Sequence, residues 1–422
     1  MRKLSGPACK LLTLLAGLLP GVIGCSPGVG ETGAVAEAAI EVEGGAMDRS
    51  GLIVGIDLPD RFAARPVQIL DEAGRLVPSQ VVAGKPPRIY WRLPESFPAE
   101  TRARYALHAG AQEASRAERV RIVDTGRSLQ AQVGEAAVFD YRYETVGPPV
   151  ELSPLLARNA YIHPVRSPAG AIVTGDFEAH GPHQRGIWHA WTRTEFQGRF
   201  PDFWNLHEGS GAVRFQAASE VYSGSVLAGF RVEHEHADLS APDGPEPVLH
   251  ESWDVTVFPY DSFFVFEIDS LQRPASAHPL NLPEYHYGGM AFRGRMKWAE
   301  KGARFLTSEW LTDLEADGTR ARWCAVWGEA EVGASGLAIL GHPQNFRAPQ
   351  PLRIHTEYRY FAFAPQWLGA TAIQPGRPYR SRFRFVVFDG PPDVELLERL
   401  WNDFAEPAKV LIAETQHPDS GG

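Results

Sequence analysis

The residues able to do chemistry concentrate between Ala160 and Trp204. This stretch carries His163, Asp176, His180, His183, Arg185, His189 and Asp202 among Pro and Gly, with Trp188, Trp191, Phe203 and Trp204 beside them. So many titratable and aromatic groups in turn-forming sequence indicate a site, since scaffolds place function on loops. The sequence His180-Gly181-Pro182-His183-Gln184-Arg185-Gly186 is a tight turn, so a helical i, i+3 ligand pair is not its geometry. It does offer imidazoles that titrate near neutral pH and a guanidinium that binds anionic or hydroxylated groups. That is an acid–base element, with His183 as acid or base and His163 and Arg185 orienting substrate or stabilising negative charge.

Further polar turns follow. Glu284 and His286 lie two apart, His342 and Asn345 share the turn 341–347, and Arg353 and His355 are again two apart. The expectation is that these turns converge at one end of a β-sandwich. Glu284 and His286 would then join the catalytic groups, and Asp176, His180, Trp188, Trp204, His342, Asn345 and Arg353 would bind substrate. Rings such as Trp188, Trp191, Trp204, Tyr285, Tyr287 and Phe346 can stack on sugar faces while the polar groups take hydroxyls. A metal is the competing use of His163, His180, His183, His189 and Asp176. The histidine spacings of 17, 3 and 6 match no fixed signature, so no metal ligand is assigned and no cofactor is required, a divalent metal staying open as an alternative. His234 and His236 share one strand face and read as a solvated edge.

The elements that must hold these residues are strands. Runs at 51–57, 66–70, 88–93, 104–108 and 120–123 suggest a small β-sandwich over 40–125. Longer runs at 137–143, 212–216, 220–233, 250–257, 263–268 and 380–388 suggest a large antiparallel, supersandwich-like β-sandwich over 128–390. Asp393 can cap one helix over 391–407, where Val394, Leu397, Leu400, Trp401 and Phe404 recur at helical spacing. Residues 408–422 read as a frayed tail. The fold class is therefore all-β with one C-terminal helix.

Composition bounds the rest. The chain has 422 residues, 44% of them hydrophobic, and a formal net charge of −10 without a basic patch, which excludes a nucleic-acid partner. Residues 1–25 join a basic start to a short apolar run ending in Val22-Ile23-Gly24-Cys25, which reads as a signal with a lipobox, Cys25 being the lipidated residue. Residues 26–39 are a small-residue tether. The expected location is the bacterial cell envelope, on the periplasmic face or surface of the outer membrane, held there by the lipid alone. Cys324 alternates within a strand-like run and reads as a buried, inert thiol.

The motifs TyrIleHisProVal at 161–165, ProHisGlnArgGlyIleTrp at 182–188, AspPheTrp at 202–204, GlyHisProGlnAsn at 341–345 and PheArgPheValValPheAspGly at 383–390 together resemble a family of exported bacterial proteins labelled "methane oxygenase PmoA". Gly181 and Gln184 stand where that family's turn carries histidines. The resemblance spans about 40–405 and implies an exported β-sandwich protein of the kind that accompanies polysaccharide breakdown and sugar oxidation. A membrane-spanning oxygenase is not implied, because no apolar run after Cys25 reaches the ~20 residues a span needs. The expected function is a carbohydrate-active enzyme using histidine acid–base chemistry on a glycoside or sugar derivative, as a lyase, hydrolase or epimerase. The alternatives are a non-catalytic carbohydrate-binding lipoprotein and a metal-dependent oxygenase. Histidine outnumbers acid in the motifs, whereas a standard glycosidase needs two flanking carboxylates, which favours lyase or epimerase.

Overall fold

The computed structural model describes residues 38–414 apart from 63–64, 111–117, 299–301 and 332. The expected signal segment, Cys25 and most of the expected tether lie outside the described residues. Ala38 and Ala39, placed in the tether from sequence, already belong to the first strand, Ala38–Glu43. The chain is all-β as expected, its sheets antiparallel, with a single fully described α-helix, Val394–Ala405. No helix among the described residues is long and apolar enough to cross a membrane.

The small sandwich faces a five-stranded sheet against a three-stranded one. The first runs Lys409–Glu414, Ala38–Glu43, Arg102–Ala109, Val67–Asp71, Leu76–Val77, and the second Ile53–Asp57, Arg88–Arg92, Ser79–Val82. Alternate residues Ile40, Val54, Ile69, Trp91 and Leu107 fill the space between them. Two expectations change here. Residues 409–414 are not frayed: their β-branched and apolar run, Val410 to Ile412, pairs in register with Val42 to Ile40. Residues 120–124 do not belong to this unit: they form a hairpin with Ser128–Val133, and Val120 and Ile122 bury in the large sandwich. The turn is made by Asp124 and Thr125, whose side chains accept from Gly126 N (2.9 Å) and Ser128 N (3.0 Å).

The large sandwich packs two eight-stranded sheets. The first runs Leu352–His355, Tyr360–Phe363, Gly289–Arg293, Ile187–Ala190, Tyr161–Val165, Ala136–Arg142, Ser128–Val133, Val120–Asp124. The second runs Gly211–Tyr222, Ala228–Asp238, Glu246–Phe258, Phe264–Pro274, Tyr379–Asp389, Ala334–Gly341, Trp323–Glu329, Arg304–Thr307. Phe385 stacks on Phe266, and Phe139 tilts against that ring through the middle, each at 4.7 Å between ring centres. Cys324 is buried there, its thiol pushed up by desolvation, as an inert core residue. The stretch 220–233 is not one strand. It breaks at Ser223-Gly224-Ser225, where Gln80 of the small sandwich approaches so closely that a Cβ on Gly224 would sit 2.1 Å from its Oε1. Gln80 Oε1 accepts from Val226 N and Leu227 N, joining the two sandwiches.

Asp393 caps the helix by accepting from Leu396 N (3.0 Å), and Leu397 and Leu400 pack on Leu340, Val386 and Phe388 of the second sheet. The same helix holds the small sandwich: buried Asp403 pairs with buried Arg49 at 2.6 Å, and Arg49 also donates to Glu406 O and Gly44 O. Removing one partner of such a pair strands the other charge. Asp403→Ala is therefore expected to lower unfolding stability by about 3 kcal/mol, more than a surface ion-pair deletion, as read from urea midpoints.

Candidate active site

Along the strands of the first sheet, one set of residues points at the second sheet and the alternate set points outward. Ile162, Ile187, Met290, Phe292, Ile354 and Phe361 face inward, in the main core. Tyr161, Trp188, Ala190, Ala291, Tyr360 and Ala362 share a second cluster on the outer face with Phe203 and Trp204. Small Ala190, Ala291 and Ala362 leave room for the rings: Trp204 lies 4.8 Å from Trp188, 5.3 Å from Tyr287 and 6.4 Å from Tyr360.

Loops build a rim around this aromatic floor. His183 lies 5.1 Å from His207, His180 stacks on Tyr358 at 5.8 Å, and His355 stacks on the same ring at 4.0 Å. Across from them, His286 lies 4.4 Å from Tyr285 and 6.0 Å from Trp367. Two buried networks fix the loops. Arg185 donates to Asp176, Tyr161 Oη, Val146 O and Leu156 O, and it lies 3.6 Å from the centre of the Phe177 ring. Asp202 accepts from Thr192 Oγ1 (2.6 Å), Asn205 Nδ2 (2.9 Å) and the amides of Trp204 and Asn205.

Burial pushes the His183 imidazole down to about 4, helped by His207 and Arg293. Burial, with the Arg353 guanidinium, also lowers His286 and His355. These rings are neutral at neutral pH, the form that accepts a proton. Half-buried His183 makes no protein hydrogen bond among the described residues, so its nitrogens are not engaged by the loop backbone.

Several expected residues serve other purposes. Arg185 is fully buried and its five donors are all used, so it positions the 174–186 loop and has none left for substrate. Asp176 is its counter-ion. His163 bonds Thr174 Oγ1 through Nδ1 (2.9 Å) and is pushed to about 4 by burial, supporting the loop from below. Trp188 and Trp204 are fully buried and form the floor without presenting a ring face to solvent. Glu284 is exposed on the loop before His286. His180, His183, His286 and Arg353 are brought to one face, Arg353 held by Asp317 at 2.6 Å. His342 and Asn345 are not. His342 packs on Phe404 of the helix, and Asn345 bonds the backbone of Arg382 in the second sheet (2.8 and 2.7 Å). The turn 341–347 therefore closes the second sheet onto the helix.

His234 and His236 are not a solvated edge but are fully buried between the sheets. Glu251 Oε2 accepts from His236 Nε2 (2.8 Å), and its Oε1 lies within reach of His189 Nδ1 (2.9 Å), Ser270 Oγ (2.5 Å), Trp253 Nε1 (2.8 Å) and Gln272 Nε2 (3.0 Å). His234 Nε2 meets Tyr141 Oη at 2.6 Å. Those contacts hold Glu251 well below the usual carboxylate range against its burial. Sequence carried the signal: Val232, His234 and His236 alternate with Arg231, Glu233 and Glu235, so the histidines share the apolar side. The proposed ligand set is thereby divided, His189 facing inward and His183 outward. No three His, Cys, Asp or Glu among the described residues are grouped to hold a metal ion. His207, Tyr358 and Arg293 went unread, each lacking a local motif.

An all-β double sandwich with a histidine-rimmed aromatic face is the class of protein defined. Residues 128–402 match a family described as a family of unknown function, DUF6807, and the chain belongs to it. No curated protein matches the chain. Among solved structures it is similar to a glycosyl hydrolase family 38 protein from Enterococcus faecalis, with TM-score 0.47 and 9% identity over 90% of this chain and 48% of that one. It is similar too to an α-mannosidase from Enterococcus faecalis V583 (TM-score 0.47, 9% identity, 91% and 47% covered). A putative aldose 1-epimerase from Klebsiella pneumoniae subsp. pneumoniae MGH 78578 gives TM-score 0.31 and 10% identity, with 88% and 100% covered. The chain spans about half the length of the two Enterococcus proteins.

The depressed histidines set a pH dependence. His163 and His183 protonate near 6.5 when unfolded and near 4 when folded, so between these values the unfolded chain binds more protons. Their contribution is complete above pH 6.5 and is lost as pH falls towards 4. Urea midpoints should drop over that window, and the double variant His163→Asn, His183→Asn should show a visibly shallower drop than the parent.

Proposed function

We propose that this protein is a cell-envelope enzyme acting on a glycoside or sugar derivative by histidine acid–base chemistry at the outer face of the first sheet. The carrying observation is His183, a half-buried imidazole held neutral, with no protein hydrogen bond, beside exposed His207. A neutral imidazole abstracts a proton from a carbon or hydroxyl placed against it, and the imidazolium so formed gives that proton back to the leaving group or the intermediate. Half-buried Tyr285 and Tyr358 offer rings for a sugar face, and Arg353, carried by the floor strand Leu352–His355, orients hydroxyls. Elimination or epimerisation suits this set better than standard hydrolysis. Asp176 is bound up by Arg185 and Asp202 by its four donors, so neither is free to flank a glycosidic bond.

The N-terminal reading complements this one: export and a lipid on Cys25 would keep the enzyme at the envelope, where glycans are met. The motif likeness to the PmoA-labelled proteins agrees with a place beside polysaccharide breakdown.

Incubating the protein with glycosides and 3-keto-glycosides, with mass and reducing-sugar readouts, should yield a product. His183→Ala should then lose turnover by about 100-fold while glycan affinity changes less than about threefold. Unchanged turnover would remove His183 from the chemistry. Binding without product from any substrate would favour the second reading, a non-catalytic carbohydrate-binding protein.

A further inference from the structure

Buried hydrogen-bond donors lacking a protein acceptor gather at this same face. Nine buried side-chain N–H groups of Arg and Trp have no partner among the described residues. Seven of them belong to Arg158, Trp188, Trp204, Arg293, Arg353 and Arg359, which lie on the outer face of the first sheet or in the turns over it. Such groups are normally satisfied, so seven donors left over on one face ask for a source of acceptors.

Arg158 is the clearest case. It is 4% exposed, and neither its Nε nor its Nη1 has a partner. Its guanidinium stands 5.6 Å from the centre of the Tyr161 ring, with the neighbouring Arg185 already committed to Asp176. No carboxylate among the described residues pairs with Arg158, Arg293 or Arg359, although the chain as a whole is acidic at −10. Glu178 attracts Arg293 and Arg359 electrostatically but makes no ion pair with either, and burial raises its own pKa. Burial, with the Arg185 charge beside it, lowers Arg158 to about 10 against the attraction of Asp176, which is itself paired with Arg185. Neutral hydroxyls would supply acceptors but leave that charge uncompensated. A carboxylate, sulfate or phosphate matches the fork of donors and cancels the charge.

We infer that the ligand of this face is an anionic carbohydrate whose carboxylate, sulfate or phosphate group is held by Arg158, an inference that rests on the functional reading above. Calorimetry on the full chain would compare uronate-containing, sulfated and phosphorylated oligosaccharides with a neutral oligosaccharide of the same length, and with inorganic sulfate and phosphate. At least one anionic sugar should bind ten times more tightly than the neutral one, and the tightest of the three identifies the group. Arg158→Met should erase that preference while keeping neutral-sugar affinity, and without ligand it should melt no lower than the parent, because an uncompensated buried charge is gone. Arg158→Lys, which keeps charge without the fork, should retain only part of the preference. Equal affinity for neutral and anionic sugars overturns the inference but leaves the carbohydrate reading in place. Binding of inorganic anions without any glycan overturns the carbohydrate reading and with it the inference as stated. An Arg158→Met protein that melts lower with its anion preference intact makes Arg158 structural and overturns its assignment.

Discussion

A single carboxylate, Glu251, fixes how the two large sheets meet. It sits fully buried between them, and its oxygens are met by groups from both: His189 of the first sheet, and His236, Trp253, Ser270 and Gln272 of the second. A buried ion without such donors would be strongly unfavourable, so every strand that contributes one is bound in register by it. The consequence reaches the far side of the sheet. With His189 turned inward to Glu251, its neighbours Trp188 and Ala190 must turn outward, and a slip of one residue would invert the strand. The aromatic floor of the candidate site is thus positioned by a contact in the opposite layer.

Above that floor, precision comes from two further ionic anchors inside the loops. Arg185 draws in Asp176 and two backbone carbonyls, and Asp202 draws in Thr192, Asn205 and two amides. Long loops are ordinarily mobile because their backbone groups are bound to water. Here Asp202 satisfies amides of its own loop and Arg185 ties its loop to the carbonyls of Val146 and Leu156, so the 174–186 and 191–210 segments hold His183 and His207 at 5.1 Å. Arg185, read from sequence as catalytic, and Asp176, read as substrate-binding, are instead the supports of the loop that carries His183.

The strand pattern was legible because period-two alternation is a local property. Runs such as 263–268 and 380–388 carried it plainly, and Asp393 announced the helix. What misled was tertiary. The break at Ser223 to Ser225 depends on Gln80, some 140 positions away, and the edge strand 409–414 depends on pairing with Ala38–Glu43. In the candidate site, titratable type could not separate an anchored side chain from an unengaged one, because that distinction is one of partners: Arg185 with five bonds, His183 with none. His207, Tyr358 and Arg293 join the face only through packing, and His342 leaves it because its turn meets the helix.

The guanidiniums and the neutral imidazoles of this face are one electrostatic arrangement. Arg293 helps depress His183, and Arg353 helps depress His286 and His355, each adding to burial. Burial and these guanidiniums therefore hold His183 neutral but weak, since a ring titrating near 4 has little pull on a proton at neutral pH. An anion seated among those guanidiniums would cancel the field that lowers the rings and raise their proton affinity towards the working range. On the proposed reading, the ligand's own charge would supply part of the basicity used on it, and His183 would be an effective base only with the anion seated.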